Sequence, residues 1–278
     1  MSAIDANKKG EFHALLEYVK EVRAVDFTAY RPDTIKRRLD LRINSVGAPD
    51  YNSYLYCLKE NPREMEGLID ALTIKVSHFF RNPFVFEALK KFVLPELIES
   101  RHGEGLRVWS AGCARGEEAY SMAILLNEIM REELLFKYLF ILATDIDINA
   151  LNDGQNALYT NEALSEVKKG YFDRYFAAEG DSHRLKDEMR AMVTFASHDI
   201  TTCKPPTEGI FSRYHIILCR NILMYLGRDM QERVFQSLSE SLLNNGYLIL
   251  GEAEVIPQQL SGDFHEVIPH TKVFRKGP

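Results

Sequence analysis

The chain has 278 residues, enough for one large domain or for a medium domain and a small one. Its 46% apolar and 27% charged residues are typical of a globular protein in water. A formal net charge of −6 argues against broad binding to nucleic acid, because contacts to phosphates require a basic surface. The start lacks the apolar core of a signal peptide and no apolar run is long enough to cross a bilayer, so we expect a cytoplasmic protein. The four cysteines are scattered without CxxC spacing, which predicts neither a metal site nor a disulfide framework.

The first part of the chain has the apolar spacing of helices. Four apolar stripes between residues 11 and 72 include Phe12, Ile35, Tyr51 and Met65, and short connections separate them. We predict a small all-helical domain over residues 1–72. A connector over residues 73–83, TIKVSHFFRNP, follows and is too aromatic for a polar linker. Its last residue, Pro83, is expected near the start of the next helix, over residues 84–98.

From residue 106 onward, strand-like runs alternate with helical patterns. The predicted strands cover 106–110, 140–144, 192–195, 214–219 and 247–250, and the predicted helices cover 117–130, 148–156 and 229–243. This alternation predicts a largely parallel sheet with helices on both faces, within a domain over residues 84–278. Late runs at 265–268 and 272–275 predict a terminal hairpin. Residues 155–190 break the alternation and predict an inserted subdomain.

The segment LRVWSAGCARGEEAY, residues 106–120, is a strand, a glycine turn and a helix start. Such a turn lets a ligand approach bare backbone, because glycine has no Cβ. It lacks the Lys-Ser or Lys-Thr pair of a P-loop, and Glu117 and Glu118 would repel a phosphate. The turn therefore favours a cofactor with a cationic or hydroxyl-rich face. Taken alone, the two acids also fit the first turn of an ordinary helix, where they favour the helix dipole.

Polar residues also follow the next predicted strands, at the edge where ligands of parallel sheets bind. Asp145 follows the second strand and is suited to accept hydrogen bonds from ribose hydroxyls, although Asp145 or Asp147 also fits as a helix cap. Asp199 follows the third strand, where a cap or turn is the alternative. Arg220 and Asn221 follow the fourth, and pairing of Arg220 with a neighbouring acid is the alternative there.

Four segments together resemble the chemotaxis receptor methyltransferases of the CheR type: SHFFRN, RVWSAGCARGEEAYSMA, ATDID and ILCRNILMYL. The segment DFTAYRPDTIKRRL resembles the amino-terminal domain of many members. The resemblance implies an α/β fold, a Rossmann-like S-adenosylmethionine-dependent methyltransferase sheet with a small all-helical N-terminal domain and an inserted subdomain. It implies a protein-glutamate O-methyltransferase that converts receptor glutamates to methyl esters for sensory adaptation. S-adenosyl-L-methionine is the implied cofactor and S-adenosyl-L-homocysteine its product.

The resemblance assigns roles to matching positions. The implied cofactor contacts are Lys75, Ser77, Arg81, Gly112, Glu118, Asp145, Asp199, Ile200, Arg220 and Asn221. Arg81 and Tyr225 are the implied catalytic residues, Arg81 by holding the methionyl carboxylate or orienting substrate and Tyr225 by lying close to methyl transfer. The chain departs from the common pattern at Ala114-Arg115, where members have Ser-Thr. It departs again at residues 251–254, Gly-Glu-Ala-Glu, where Gly-His-Ser-Glu is common.

The implied chemistry fits the residue types. A glutamate side chain has a reference pKa of about 4.3, so the acceptor is already an anion at neutral pH and needs no general base. Excluding water and aligning the reacting atoms accelerate such a transfer. We expect Phe79, Phe80 and Tyr225 to form walls around the reacting atoms. Plain packing between the domains is the alternative for the two phenylalanines, and the two interpretations are compatible.

The implied partners are the cytoplasmic domains of chemoreceptors, with no nucleic acid and with membrane association only through the receptor. Arg37, Arg38 and Arg42 are predicted to dock onto acidic receptor helices, and a solvated helix face is the alternative. The short turn at residues 177–182 predicts that no receptor carboxyl-terminal pentapeptide is needed as a tether. Two other functions stay open: methylation of a different protein, and a non-catalytic S-adenosylmethionine sensor or scaffold.

Overall fold

A computed structural model describes residues 3–73, 76–101, 105–133, 139–207 and 213–278. The chain forms two compact units. The first consists of Met1–Ile74 and Tyr225–Gln231, and the second of Lys75–Met224 and Glu232–Pro278. The return of seven late residues to the first unit was not indicated by the sequence pattern. No helix among the described residues combines the length and the apolar character that crossing a membrane requires.

The first unit is all-helical, as predicted. Its helices are α1 (Ala3–Arg23), α2 (Pro32–Val46), α3 (Tyr51–Glu60) and α4 (Pro62–Leu72), with a 3-10 turn at Phe27–Ala29. The predicted apolar stripes form its core, which includes Leu15, Leu16, Val19, Ile35, Leu39, Ile43, Tyr54, Leu58, Met65 and Leu68. Local signals set the helix ends. Helix α2 starts at Pro32 and ends at Val46, followed by the cap residue Gly47, whose φ of 78° few other residues adopt.

The second unit contains the remaining helices and the strands. Its helices are α5 (Pro83–Ala88), α6 (Leu94–Arg101), α7 (Glu117–Glu133), α8 (Ile148–Asn156), α9 (Lys169–Tyr175), α10 (Asp187–Arg190) and most of α11 (Arg228–Ser241). Its strands are β1 (Leu106–Ala111), β2 (Leu139–Asp145), β3 (Leu158–Tyr159), β4 (Phe176–Glu179), β5 (Ser182–Leu185), β6 (Val193–Ser197), β7 (Tyr214–Cys219), β8 (Leu242–Leu250), β9 (Phe264–Glu266) and β10 (Val273–Lys276). Short 3-10 segments occupy Ile200–Thr202, Leu223–Tyr225 and Gln258–Asp263.

Seven of these strands form one sheet in the order β6-β2-β1-β7-β8-β10-β9. The first five run parallel, and the last two form the predicted hairpin, which joins the sheet antiparallel to β8. Val108 at the centre of β1 pairs with Ile141 on one side and Ile216 on the other. From β1 the strand order runs through β2 to β6 on one side and through β7 to β8 on the other. Ligands of such sheets bind at the carboxyl ends of the strands where the order changes direction, so we expect a ligand next to the end of β1.

The helix predicted over residues 84–98 is interrupted by a π-helical turn at Leu89–Val93 between α5 and α6. Pro83 stands at the first helical position, as predicted. A π-turn adds one residue to the helix without a change in composition, so apolar spacing gives no sign of it.

The segment predicted as an insertion contains a three-stranded antiparallel sheet in the order β3-β5-β4, together with α9 and α10. We call residues 157–190 the inserted subdomain. Gly180, with a φ of 61°, lies in the two-residue turn between β4 and β5. Polar contacts bind the subdomain to the larger sheet's helices. The Asn127 side chain donates to the Tyr175 hydroxyl at 3.0 Å, and Lys90 donates to the Tyr171 hydroxyl at 3.0 Å.

Candidate functional site

The carboxyl ends of four neighbouring parallel strands carry the predicted cofactor residues. Gly112 directly follows β1, Asp145 ends β2, and Asp199 and Arg220 come just after β6 and β7. Parallel strands bring these ends to one edge of the sheet. Gly112, Asp145, Asp199 and Asn221 are partly exposed there, and so is Ile200 beside them. The structure therefore gathers these predicted residues at one accessible edge.

The glycine turn after β1 has an unusual backbone. Gly112, Ala114 and Gly116 have φ values of 68°, 49° and 83°, all in the left-handed region. A Cβ added at Gly112 would overlap the side chain of Ile222, and one at Gly116 would lie 2.6 Å from Phe195 Cζ. The Cys113 amide donates to the Thr144 carbonyl at 2.9 Å and holds the turn against β2. The two glycines thus leave room for the side chains of Ile222 and Phe195 to pack against the turn, and close approach of a ligand to its backbone stays a prediction.

Asp145 and Asp147 have different tasks. The Asp147 carboxylate accepts the amides of Asn149 and Ala150 at 2.9 and 3.0 Å and caps α8. Asp145 accepts the Ala114 amide at 2.8 Å and the Asp147 amide at 3.0 Å, so it joins the glycine turn to the end of β2. Burial raises the pKa of the Asp145 carboxyl above its usual value. Capping belongs to Asp147 alone, and the ribose role of Asp145 stays a prediction.

Glu118 and Arg220 form an ion pair at the start of α7. Arg220 Nη1 lies 3.3 Å from Glu118 Oε2, and Ser110 donates to Glu118 Oε1 at 2.8 Å. The second terminal nitrogen of Arg220 donates to the Arg81 carbonyl at 2.8 Å and to Asn82 Oδ1 at 3.0 Å. Burial raises the pKa of Glu118, and Arg220 opposes that rise. Arg220 therefore pairs with a neighbouring acid, the alternative left open above, and ties β7 to the connector.

The connector lies against the start of α7. The Ser77 hydroxyl hydrogen-bonds with the Glu117 carboxyl, and the Arg81 guanidinium donates to the Val76 carbonyl at 3.0 Å. Phe79 and Phe80 are 0% and 5% exposed. Both rings pack among aromatic side chains of the same unit, which agrees with the packing alternative, and their role as walls around the reacting atoms stays a prediction. Lys75 lies outside the described residues.

Glu117 combines a buried carboxyl with an incomplete set of hydrogen bonds. Its side chain is 2% exposed, and its Oε2 has no hydrogen-bond partner within the described part of the chain. Burial raises its pKa to about 7. Together with Glu118 it places two carboxyl groups beside the glycine turn. Such a donor set suits a cofactor that carries an ammonium and a sulfonium, so the residues present fit S-adenosylmethionine.

Sequence reasoning missed the role of Glu254. Its carboxylate is 4% exposed and accepts the amides of Asn221, Ile222 and Gly251 at 3.0, 2.8 and 2.7 Å. A third amide of the loop after β7, that of Met224, lies 3.4 Å from Oε1. The available signal was the tetrapeptide 251–254, whose last residue keeps the common glutamate although the middle two differ.

Two predicted docking residues have partners inside the first unit. Arg42 forms a two-point pair with Glu64, at 2.8 Å from Nε and 2.7 Å from Nη2, and Arg38 donates to the carbonyls of Ala71 and Thr73 at 3.1 Å each. A receptor carboxylate would have to compete with these contacts. These contacts give both residues a structural role inside the unit, and the docking role of Arg38 and Arg42 stays a prediction. Arg37 is exposed and keeps that prediction.

Tyr225, the second predicted catalytic residue, belongs to the first unit. Its carbonyl accepts the Arg31 amide at 2.8 Å, and the neighbouring Leu226 forms an antiparallel bridge with Tyr30. The other described cofactor residues all belong to the second unit. Its catalytic role therefore stays a prediction.

Two family descriptions cover the chain: "CheR methyltransferase, all-alpha domain" matches residues 10–73, and "CheR methyltransferase, SAM binding domain" matches residues 75–273. The Pseudomonas putida protein Cher3 is 31% identical over 281 residues, which cover 98% of each chain. A Listeria innocua protein named chemotaxis protein methyltransferase is 31% identical over 86% of this chain and 87% of its own. A 104.1 kDa Rhodobacter capsulatus protein is also 31% identical, and the match spans 84% of this chain but 24% of that one. The acidic glycine turn and the strand-end residues thus lie in a matched cofactor domain, and the chain belongs to the CheR methyltransferase family.

Proposed function

We propose that this chain transfers the methyl group of S-adenosylmethionine to glutamate side chains on the cytoplasmic domains of chemoreceptors. Membership of the family supports methyl transfer, and relatives named chemotaxis protein methyltransferase support a chemotactic acceptor. The observation that carries the proposal is the pair of acids beside the glycine turn, the buried Glu117 and the partly buried Glu118. Glu117 and Glu118 stand at the first two positions of α7, where a phosphate-bearing ligand would be repelled and a cationic one attracted.

Different cofactor-binding residues are assigned to the charged end and to the ribose of the cofactor. Glu117 and Glu118 supply negative charge for the cofactor's cationic end, and Asp145 supplies acceptors for its ribose. One carboxylate oxygen of Asp199 accepts a hydrogen bond from the Thr201 amide at 2.8 Å, which fixes the segment that includes Ile200. When bound, S-adenosylmethionine supplies an electrophilic methyl group.

A carboxylate acceptor suits the remaining residues. Its oxygen is an anion at neutral pH, so no residue has to remove a proton. Arg81 donates to the Val76 carbonyl, and its guanidinium has further N–H groups for the acceptor or for the cofactor's carboxylate. Its own carbonyl accepts from the buried Arg220, which fixes the Arg81 backbone. Positioning of this kind aligns the acceptor without acid–base catalysis.

Docking of the receptor is assigned to the exposed face of α2. Arg37 lies on that face, where a shallow depression of about 330 Å³ is lined by Asp33, Lys36, Arg37, Asp40, Leu41 and Asn44. Lys36 and Arg37 supply cations on this face for pairing with an acidic receptor helix, beside the acids Asp33 and Asp40.

The test is methyl transfer to membranes that contain chemoreceptors, with the methyl group of S-adenosylmethionine labelled with tritium. We expect protein-bound counts that alkali releases as methanol, because carboxyl methyl esters are base-labile. Membranes from a strain without chemoreceptors are the control and are expected to stay unlabelled. Base-stable counts would point to a different acceptor residue. Cofactor binding without transfer to any receptor would instead support the sensor or scaffold.

A further inference from the structure

Tyr159 lies between the two segments that are predicted to hold the cofactor. It stands on β3 of the inserted subdomain and is 3% exposed. Its hydroxyl donates to the Arg115 carbonyl of the glycine turn at 2.7 Å. Its ring meets that of Phe79 in the connector edge-on, with 4.7 Å between the centroids. One side chain therefore contacts both the turn and the connector.

The inserted subdomain contacts the glycine turn at the Arg115 carbonyl, which accepts the Tyr159 hydroxyl. Arg115 lies between Ala114 and Gly116, which both have positive φ. The amides of Cys113, Ala114 and Gly116 donate to Thr144, Asp145 and Cys113 itself, all near the ends of β1 and β2. The contact from Tyr159 comes from outside that edge. A non-glycine residue such as Ala114 is strained in the left-handed region, so such a turn relies on external contacts.

The connector depends on the same subdomain. The ring of Phe79 packs between Tyr159 and Phe176, 5.2 Å from the second centroid. The Phe79 amide donates to the Ala163 carbonyl at 2.9 Å. Two residues earlier, Ser77 hydrogen-bonds with Glu117 at the start of α7. A shift of the subdomain would therefore move the connector against the acids of α7.

We propose that Tyr159 is a positioning residue for the cofactor site, and that through it the inserted subdomain sets the affinity for S-adenosylmethionine. The proposal rests on the cofactor part of the proposed function and is independent of which residue accepts the methyl group. Tyr159 acts through the Arg115 carbonyl and Phe79 rather than by touching the reacting atoms. Linkage also works in reverse: a bound cofactor stabilises the subdomain by the same free energy.

The first experiment is calorimetric titration of the full chain with S-adenosyl-L-homocysteine. Tyr159→Phe keeps the ring and removes the hydroxyl, and we expect Kd to rise about tenfold, the effect of one hydrogen bond worth about 1.4 kcal/mol. The matched control is Tyr171→Phe. The Tyr171 ring also packs on the connector, 5.6 Å from the Phe80 centroid, but its hydroxyl accepts from Lys90 instead of bonding to the turn. Its Kd is expected to stay within about twofold of wild type.

Hydrogen–deuterium exchange supplies a readout that is independent of catalysis. The Leu185 amide bonds to the Ala157 carbonyl inside the subdomain. We expect S-adenosyl-L-homocysteine to slow exchange there in wild type and in Tyr171→Phe, and much less in Tyr159→Phe. Should Tyr159→Phe not fold, Phe79→Leu tests the same link through the connector. An unchanged Kd and unchanged protection in folded Tyr159→Phe would overturn the proposal. Wild type that binds the cofactor but methylates no receptor would instead count against the proposed acceptor and leave this proposal standing.

Discussion

Glu254 and Asn221 are joined by a 3.0 Å hydrogen bond from the Asn221 amide to Glu254 Oε2, although 33 residues separate them. Asn221 has a φ of 61°, in the left-handed region that few non-glycine residues adopt. The same carboxylate also accepts the Ile222 and Gly251 amides. It therefore holds the loop after β7 in a conformation that the loop would not keep by itself.

Replacing Glu254 with Gln is expected to weaken cofactor binding about tenfold or more. The new amide nitrogen would face a backbone N–H, so a buried donor loses its acceptor at a cost of about 1–3 kcal/mol. Titration with S-adenosyl-L-homocysteine measures the effect. Glu252→Gln is the matched control, since Glu252 is exposed and its contact with Asn82 is 3.4 Å long. Equal affinity in the two variants would refute the anchoring role.

Gly112→Ala is expected to abolish measurable cofactor binding. The added Cβ would overlap the Ile222 side chain, and alanine is strained at a φ of 68°. The double variant Gly112→Ala/Ile222→Ala removes the overlap but keeps the strain. We therefore expect the double variant to regain part of the affinity. If it binds no better than the single variant, backbone strain alone accounts for the loss.

The buried carboxyl of Glu117 predicts a pH-dependent stability of the ligand-free protein. Its folded pKa of about 7 lies above the usual 4.5. Stability from this group is fully present below pH 4.5 and is lost as pH rises through 7, because the buried group must then ionise. The difference between the two pKa values corresponds to a loss of about 3 kcal/mol in the free energy of unfolding across this pH range. The Gln side chain in Glu117→Gln is neutral at every pH. The Tm of this variant minus that of wild type is thus expected to increase between pH 5 and pH 8. A difference in Tm that does not change with pH would contradict this assignment.

Arg42 and Arg37 are expected to differ in what they support. Arg42→Ala leaves the buried Glu64 carboxylate without its two-point partner, and we expect a loss of about 2–4 kcal/mol in the free energy of unfolding. Arg37→Ala is expected to change that free energy by less than about 0.5 kcal/mol, since the residue is exposed. Urea unfolding of both variants measures the difference.

The docking role is tested by Arg37→Glu in the methylation assay. Charge reversal is expected to slow receptor methylation and leave the Kd for S-adenosyl-L-homocysteine unchanged. Steeper salt dependence in wild type than in the variant would identify steering as the cause. Unaltered methylation in Arg37→Glu would remove the exposed α2 face from the proposal.

Much of the second unit was predictable because its signals are local. The apolar run of β7 was predicted at its observed bounds, Tyr214–Cys219, and so was helix α8, Ile148–Asn156. The glycine turn and the acids of α7 lie between β1 and α7, which are adjacent in the sequence. Their positions relative to one another therefore follow from the sequence spacing alone. The cap at Asp147 was predictable for the same reason.

Contacts between distant residues were not predictable from periodicity. Glu254 is 33 residues from Asn221, and Tyr159 is 44 residues from Arg115. An exposed basic helix face and a basic residue paired with a buried acid look alike in a sequence, so the spacing of α2 does not indicate that Arg42 pairs with Glu64. The two buried phenylalanines of the connector likewise gave no sign of which aromatic residues surround them.

The late residues of the first unit affect the order in which the protein is built. Gly227 donates to the Ala29 carbonyl at 2.9 Å, and Tyr225 accepts from Arg31 at 2.8 Å. On the ribosome, the four amino-terminal helices emerge first, and these partners are synthesised only after residues 75–224. Translation thus begins the helical unit and finishes it only after β7 has been made. A nascent chain stalled before residue 225 still lacks part of its first unit, and a fragment that ends at residue 74 lacks those partners altogether.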